Sequence, residues 1–109
     1  MKCVLFRARH SHPEINGLPE IFHDGMDPMG FDQLSYFATL FFTGPSGGRS
    51  KQIDLYVTGL TPATCAVIDV CIRLGKRLTL WHYDKKRDTY KPQHIATTCG
   101  TTDRLEEIQ

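Results

Sequence analysis

The residues best suited to chemistry lie in three short segments, which are residues 9–12 (RHSH), 58–61 (TGLT) and 82–84 (HYD). Arginine supplies positive charge, histidine transfers protons near neutral pH, and a glycine lets a phosphate approach the backbone closely. This combination is typical of chemistry on a phosphodiester. The candidate catalytic residues are His10, His12 and His82. The candidate ligand-binding residues are Arg9, Ser11, Thr58, Gly59, Leu60, Thr61 and Tyr83.

The segment 58–61 is the most informative of the three. A buried strand passes through Gly59 into a helix that Thr61 caps, with Pro62 at its first position. The free backbone N–H groups and the positive end of the helix dipole suit an anion. The pattern equally fits a turn in which Gly59 only reverses the chain and Thr61 only caps. Because Thr58 does not cap, Thr58→Ala is the expected way to separate these readings.

The other candidate residues have structural interpretations as well. A solvated loop is the simpler interpretation for each of residues 9–12 taken singly. His82 shares a predicted strand face with two leucines, so it also fits a core histidine. Trp81 and Tyr83, on the opposite face, either stack on a base or pack under a helix, and packing is favoured for Trp81.

Strands and helices alternate along the chain. The predicted strands cover residues 2–8, 53–58, 77–83 and 89–95, and the predicted helices cover residues 31–41 and 61–74. Asp27-Pro28 is the expected start of the first helix, and Gly75 the expected end of the second. Residues 14–30 are expected to form a loop, with a role as a lid left open. The tail, residues 96–109, is expected to be either flexible or a short helix.

This alternation implies right-handed crossovers between parallel strands. The predicted fold class is a small Rossmann-like α/β domain, with a mainly parallel sheet, helices and a C-terminal hairpin. Pro92 places the last strand at an edge. Ligands bind such sheets beyond the carboxyl ends of the strands. We therefore expect the three candidate segments to meet at that edge.

Length and charge limit the possible functions. A chain of 109 residues and 12.4 kDa predicts a single domain over residues 1–109. Its 13 Lys and Arg against 12 Asp and Glu give a net charge of +1, so binding to duplex DNA is not expected. No apolar run is long enough for a membrane span, and the apolar stretch over residues 1–6 is too short for a signal peptide. We therefore expect a cytoplasmic protein without membrane contact.

The cysteines give no sign of a metal site. Cys3, Cys65, Cys71 and Cys99 show no CxxC spacing. Because Cys65 and Cys71 lie in an apolar segment, we expect buried free thiols there. His10 and His12 stand at alternate positions, as two metal ligands do, but no third ligand is evident. Neither a metal nor a cofactor is predicted.

The second predicted helix is apolar nearly all round. Thr64, Asp69 and Arg73 are the polar residues in its body. Such a helix is buried on more than one side, and the sheet of so small a domain covers one side. We therefore expect a second copy of the chain to cover the other, in a two-fold homodimer.

The segment 54–63 (DLYVTGLTPA), followed by the apolar helix and then 78–84 (LTLWHYD), resembles the CRISPR-associated Rossmann fold (CARF) proteins. The similarity is greatest to the small stand-alone members found beside type III CRISPR systems, and it covers residues 53–93. The resemblance implies binding of cyclic oligoadenylates, the second messengers of type III systems, with one ring held across two copies of the site. Thr58, Gly59 and Thr61 match the ligand-contacting turn of the family.

The resemblance also implies two uses for a sensor with no room for an effector nuclease domain. A ring nuclease cleaves the ring without a metal, by attack of a ribose 2′-hydroxyl on the neighbouring phosphate, and leaves a 2′,3′-cyclic phosphate. A sponge holds the ring and lowers its free concentration. The four-membered ring, cyclic tetra-adenylate, is the expected ligand. Two alternatives from other classes are an adaptor that docks a protein through helix 62–74, and a hydrolase of another phosphate ester that uses His10 or His12.

Overall fold

A computed structural model describes residues 1–6, 12–45 and 47–95 of the chain. The predicted tail, residues 96–109, and the candidate residues Arg9, His10 and Ser11 lie outside these ranges. The strands are β1 (Lys2–Val4), β2 (Gln52–Tyr56), β3 (Arg77–Asp84) and β4 (Thr89–Ile95). The helices are α1 (Phe31–Thr43) and α2 (Thr61–Arg73), with a short 3-10 helix over Pro13–Ile15.

The four strands form one mixed sheet in the order β1-β2-β3-β4. β1 pairs with β2, and β2 with β3, in parallel. β3 and β4 form an antiparallel hairpin from Leu78↔Ile95 to Asp84↔Thr89. The α/β class, the hairpin and the edge position of β4 are confirmed. The sheet is mixed rather than mainly parallel, because the turn at residues 85–88 is too short for a crossover and makes the longest pairing antiparallel.

Both α-helices pack over one face of the sheet. Alternation along β2 and β3 turns Leu55 and Leu80 toward the helices, where they join Leu34 of α1 and Val67 of α2 in one buried cluster. Burial of these side chains away from water is the main stabilising contribution to such a core. Among the helices of the described ranges, none is both long and apolar enough to cross a membrane.

Helix α1 follows the predicted three-to-four spacing of apolar residues. Leu34, Ala38 and Phe42 are buried on one stripe. The helix ends at Gly44, whose N–H donates to the Leu40 carbonyl at 2.9 Å. The expected start at Asp27-Pro28 is wrong, since the helix begins at Phe31. Asp27 instead accepts from the Met29 N–H at 2.9 Å and so forms a turn of its own.

Helix α2 is less apolar on its surface than its sequence suggests. It buries Ala63, Val67, Val70 and Cys71, and it ends before Gly75, whose φ of +69° requires the left-handed region that favours glycine. Its outer stripe, at four-residue spacing, consists of the exposed residues Thr61, Cys65, Asp69 and Arg73. The expectation that the Cys65 thiol is buried is therefore wrong, while the Cys3 and Cys71 thiols are buried and free as expected.

The segment following the 3-10 helix supports the sheet from its β1 side. The Val4 N–H donates to the Pro19 carbonyl, and the Ile21 N–H to the Val4 carbonyl, each at 3.0 Å. Ile15 packs on the sheet face opposite the helices, against Val4 and Tyr56. These residues, within the predicted loop 14–30, therefore extend one edge of the sheet and cover part of its second face.

The amino-terminal edge of the sheet is closed by a buried lysine. Lys76 is 4% exposed. Its Nζ donates to the carbonyls of Gly47 at 3.0 Å, Gly48 at 3.3 Å and Ser50 at 2.6 Å. These three acceptors use the donor capacity of the ammonium group. The loop between α1 and β2 is thus fixed against the start of β3.

Candidate functional site

The candidate site lies at the carboxyl-terminal edge of the sheet, where β2 ends and α2 begins. Ligands of α/β sheets bind at this edge. Of the predicted segments, 58–61 and 82–84 both lie here, and His12 reaches the same region by contacting Asp88 at the hairpin turn. The topology thus places the described residues of all three segments at this edge, and His12 contacts Tyr83, with ring centroids 5.7 Å apart.

Thr58 joins the ends of β1 and β2. Its hydroxyl donates to the Phe6 carbonyl at 2.8 Å and accepts from the Phe6 N–H at 2.9 Å. The residue is 5% exposed. The side chain thus continues the β1–β2 pairing beyond the last strand residues. A Thr58→Ala change breaks both hydrogen bonds, so it is not the clean test of a ligand site that the sequence indicated.

The turn after Thr58 is open to solvent. Gly59 and Thr61 are exposed. The prediction that Thr61 caps α2 is wrong: the N-cap is Leu60, which makes no side-chain capping bond. The reason is that the Leu60 carbonyl already accepts the first helical hydrogen bond, from the Thr64 N–H at 3.1 Å. The first turn of α2 therefore presents backbone N–H groups, and the Thr61 hydroxyl beside them is not used as the cap.

The β3–β4 hairpin rises beside this turn. β2 ends at Tyr56, which pairs with Trp81, and β3 continues to Asp84. At roughly 3.3 Å per residue, three further residues carry the hairpin on the order of 10 Å past the end of β2. This projecting part forms a wall at the carboxyl edge.

His82 lies on the helix side of that wall and is exposed. Its Nε2 lies 2.7 Å from Gln93 Oε1. With that oxygen as acceptor, Nε2 carries the proton of the neutral ring and Nδ1 carries the lone pair. Lys91 pairs with His82 in the hairpin register, and its Nζ lies 3.6 Å from Asp84 Oδ2. Sequence reasoning missed Lys91 and Gln93, because the predicted five-residue turn over residues 84–88 pairs His82 with Tyr90. The observed turn is one residue shorter and pairs His82 with Lys91.

His12 and Tyr83 lie on the opposite side of the wall. The Nδ1 of His12 accepts from the Glu14 N–H at 3.1 Å, and its Nε2 lies 3.3 Å from the Asp88 carbonyl. The Tyr83 hydroxyl donates to Asp88 Oδ1 at 2.6 Å, and this hydrogen bond raises the pKa of Tyr83. These contacts use both ring nitrogens of His12. They tie the 3-10 helix to the hairpin turn.

Trp81 packs within the protein, as favoured, but the expectation that it packs under a helix is wrong, because alternation along β3 turns it to the face opposite Leu80 and the helices. Its ring stacks on Tyr56 with the centroids 5.7 Å apart, and its Nε1 donates to Asp54 Oδ1 at 3.1 Å. Tyr90 contacts the Tyr56 ring edge-on, with 5.0 Å between the centroids. Burial raises the pKa of Tyr90 to about 12, with the carboxylate of Glu14 adding to the effect. Tyr56, Trp81 and Tyr90 therefore form a packed aromatic cluster on the sheet face opposite the helices.

An open groove of about 500 Å³ lies between α1 and α2. Its wall includes Thr61, so it reaches the exposed turn. The lining residues are Phe31, Asp32, Ser35, Thr61, Pro62, Cys65, Ala66 and Asp69. The sequence did not indicate this groove, because helical periodicity assigns faces to each helix but does not show how two helices are spaced.

The described residues hold no metal-binding cluster, and two of their thiols are buried. No group of three His, Cys, Asp or Glu side chains within them is arranged to hold a metal ion. Burial raises the pKa values of the Cys3 and Cys71 thiols to about 12. These two thiols therefore stay protonated near neutral pH and are poor nucleophiles.

The site therefore combines an exposed helix start, a groove beside it and a projecting hairpin with an exposed histidine. This arrangement suits an anionic ligand that carries apolar groups. Comparison with known proteins adds no assignment: no family model, curated protein or solved structure matches the chain.

Proposed function

We propose that this chain is a Rossmann-like domain of the CARF kind that binds a cyclic oligoadenylate at the carboxyl edge of its sheet. The expected ring is cyclic tetra-adenylate. The protein lowers the concentration of this messenger in the cytoplasm, either by metal-independent cleavage or by sequestration. The proposal includes a homodimer, in which two copies of the turn at residues 58–61 hold one two-fold symmetric ring.

The observation that carries the proposal is the start of α2. Gly59 and Thr61 are exposed there, and the helix has no side-chain cap. Backbone N–H groups at such a position carry partial positive charge and bind phosphate oxygens. The hydroxyl of Thr61 adds a further donor. Because Thr58 serves the β1–β2 junction, the ligand contacts fall to Gly59, Leu60 and Thr61.

Cleavage requires groups that move a proton and offset the negative charge on the phosphate. In the proposed step, the 2′-oxygen bonds to phosphorus while the bond from phosphorus to the 5′-oxygen breaks. The 2′-hydroxyl loses a proton, and the leaving 5′-oxygen gains one. His82 is the described histidine exposed on the helix side of the wall, with its Nδ1 lone pair available as acceptor. Lys91, its register partner, supplies positive charge when its ammonium group turns from the Asp84 carboxylate, 3.6 Å away, to the phosphate.

The test is incubation of the purified protein with cyclic tetra-adenylate in EDTA, followed by chromatography and a native gel. Linear products ending in a 2′,3′-cyclic phosphate support a ring nuclease. Intact ring that migrates with the protein supports a sponge. If the protein neither cleaves nor binds cyclic tetra-adenylate or a ring of another size, the proposal is overturned.

His82→Ala separates the two activities. We expect it to abolish cleavage and to leave ring binding intact, because His82 lies on the hairpin rather than at the helix start. His23→Ala is the matched control, since His23 is also exposed but packs edge-on against Phe37 of α1. Equal cleavage by the two variants would remove His82 from the mechanism.

A second candidate function is a non-enzymatic adaptor that docks a protein through helix 62–74. One apolar pair on the surface of α2 favours it, because exposed Cys65 lies next to half-exposed Ile68 on that helix. The adaptor hypothesis predicts that no ring binds and that changes at Gly59 or Thr61 have no functional consequence. Binding of cyclic tetra-adenylate that requires Thr61 would exclude it.

A further inference from the structure

The groove between α1 and α2 is walled by one exposed aromatic ring and a row of small apolar groups. Phe31, the first residue of α1, is 58% exposed. Pro62, Cys65 and Ala66 line the α2 side. The volume of about 500 Å³ lies within the range typical of small-molecule sites. A planar apolar group is therefore the kind of occupant that fits.

The polar groups at the groove indicate which planar group it can bind. Asp32 and Ser35 line the α1 side. On the α2 side, the Asp69 carboxylate is committed to Arg73, at 2.9 Å. An adenine base presents an exocyclic amino donor next to the N7 acceptor. A carboxylate accepts from that amino group, and a serine hydroxyl donates to the ring nitrogen.

We propose that this groove is an adenine-binding subsite, in which the base stacks on Phe31 and its amino group donates to Asp32. The proposal rests on the proposed function, because Thr61 belongs to both the groove and the exposed turn. A nucleotide held by its phosphate at the start of α2 can thus place its base in the groove.

The same geometry predicts base selectivity. Hypoxanthine and guanine carry a carbonyl oxygen where adenine carries the amino group, and a carboxylate repels that oxygen. A site built around a hydrogen bond to the amino group rejects analogues that lack it. Adenine is therefore preferred over hypoxanthine, and Asp32 determines the preference.

The first experiment is a titration with adenosine 5′-monophosphate and inosine 5′-monophosphate, followed by amide chemical-shift mapping. We expect adenosine monophosphate to shift residues 31–35 and 61–66, and to bind about tenfold or more tightly than the inosine nucleotide. Asp32→Asn narrows the difference between the nucleotides, because an amide can donate to a carbonyl oxygen as well as accept. Absence of shifts in the groove at millimolar nucleotide overturns the proposal.

The second experiment compares Phe31→Ala with Tyr36→Ala. Tyr36 is the matched control, since it is 60% exposed on the same helix and does not line the groove. Phe31→Ala should weaken binding of adenosine monophosphate and of cyclic tetra-adenylate by about tenfold, as expected for loss of base stacking. Tyr36→Ala should leave both unchanged.

The outcomes distinguish this inference from the function on which it rests. If the wild type binds cyclic tetra-adenylate and Phe31→Ala binds it equally well, the adenine subsite is overturned and the proposed function stands. If adenosine monophosphate binds in the groove but no ring of any size binds, the proposed function fails and the subsite stands. If neither adenosine monophosphate nor a ring of any size binds, both fail.

Discussion

The amino-terminal edge of the sheet, here the closed edge, pairs its polar groups inside the protein, whereas the carboxyl-terminal edge, here the open edge, exposes several of them to solvent. At the amino-terminal edge, the ammonium of Lys76 is buried and donates to three carbonyls of the loop at residues 47–50. At the carboxyl-terminal edge, Gly59 and Thr61 are exposed and α2 begins without a side-chain cap. Polar groups that are satisfied inside the protein contribute to stability, whereas those facing solvent remain available to a ligand. Substitutions at the two edges should therefore separate stability from binding.

The largest loss of stability is expected from Lys76→Met at the closed edge. The methionine retains most of the length of the side chain but removes the charged donor from three carbonyls. Loss of a buried, charged hydrogen-bonding group costs roughly 3 kcal/mol or more. The free energy of unfolding, from urea denaturation followed by circular dichroism, measures it.

Lys85→Met is the control for that change. Lys85 is exposed in the hairpin turn, and surface substitutions usually change stability by less than about 0.5 kcal/mol. If the two variants unfold at the same urea concentration, the three carbonyl contacts of Lys76 do not stabilise the fold and the contrast between the edges fails.

The next largest effect is expected from Thr58→Val, behind the open turn. Valine has nearly the shape of threonine but neither donates to the Phe6 carbonyl nor accepts from the Phe6 N–H. Loss of these two buried hydrogen bonds costs about 1–3 kcal/mol. Thermal unfolding measures the loss, with Thr61→Val as the control in the same turn. A melting temperature equal to that of the control would contradict the structural role of Thr58.

A third prediction concerns the pH dependence of stability near the closed edge. The carbonyl of Cys71 accepts from the Lys76 N–H at 2.9 Å, and burial raises the pKa of its thiol from 9.0 to about 12. The unfolded chain therefore loses this proton at lower pH than the folded chain. The contribution of the protonated Cys71 thiol to the free energy of unfolding is fully present below pH 9 and is lost as the pH rises toward 12.

Cys71→Ala should flatten this alkaline decline. Part of the loss of stability at alkaline pH should remain in this variant, because the pKa values of Cys3 and Tyr90 are also raised to about 12. The measurement is the free energy of unfolding below pH 9 and at intervals above it, for wild type and variant. The same slope in both proteins would show that the Cys71 thiol does not carry the predicted linkage.

The helices and the faces of the strands were largely predictable from the sequence because their signals are local. Apolar spacing identified both helices, and the positive φ of Gly75 follows from its place after α2. The alternation in residues 77–83 correctly placed Leu80 and Trp81 on opposite faces of the sheet, although it did not show which face the helices cover. Each of these inferences depends on neighbours within a few positions, which is the range over which periodicity is informative.

The closed edge and the role of Thr58 were not predictable because they depend on distant residues. Lysine is almost always exposed, and Lys76 is buried because carbonyls at positions 47–50 converge on its Nζ. Thr58 was interpreted as a ligand contact, since its sequence neighbours do not reveal the bond to Phe6. The groove likewise arises from the packing of α1 on α2 and from no pattern within either helix.

The smallest change in stability is expected from Thr61→Ala, which is also the sharpest test of the open edge. Thr61 is exposed and is not the N-cap, so the free energy of unfolding should change by less than about 0.5 kcal/mol. Binding of cyclic tetra-adenylate should nevertheless weaken, because the hydroxyl lies where the phosphate is proposed to bind. Thr39→Ala, at an exposed threonine within α1, is the control for both measurements.

A stability loss as large as that of Thr58→Val would mean that Thr61 supports the fold, and unchanged binding would mean that the open edge is not the phosphate site. Weaker binding at unchanged stability is the result that assigns this edge to a ligand, because only then does the exposed turn differ in function from the closed edge.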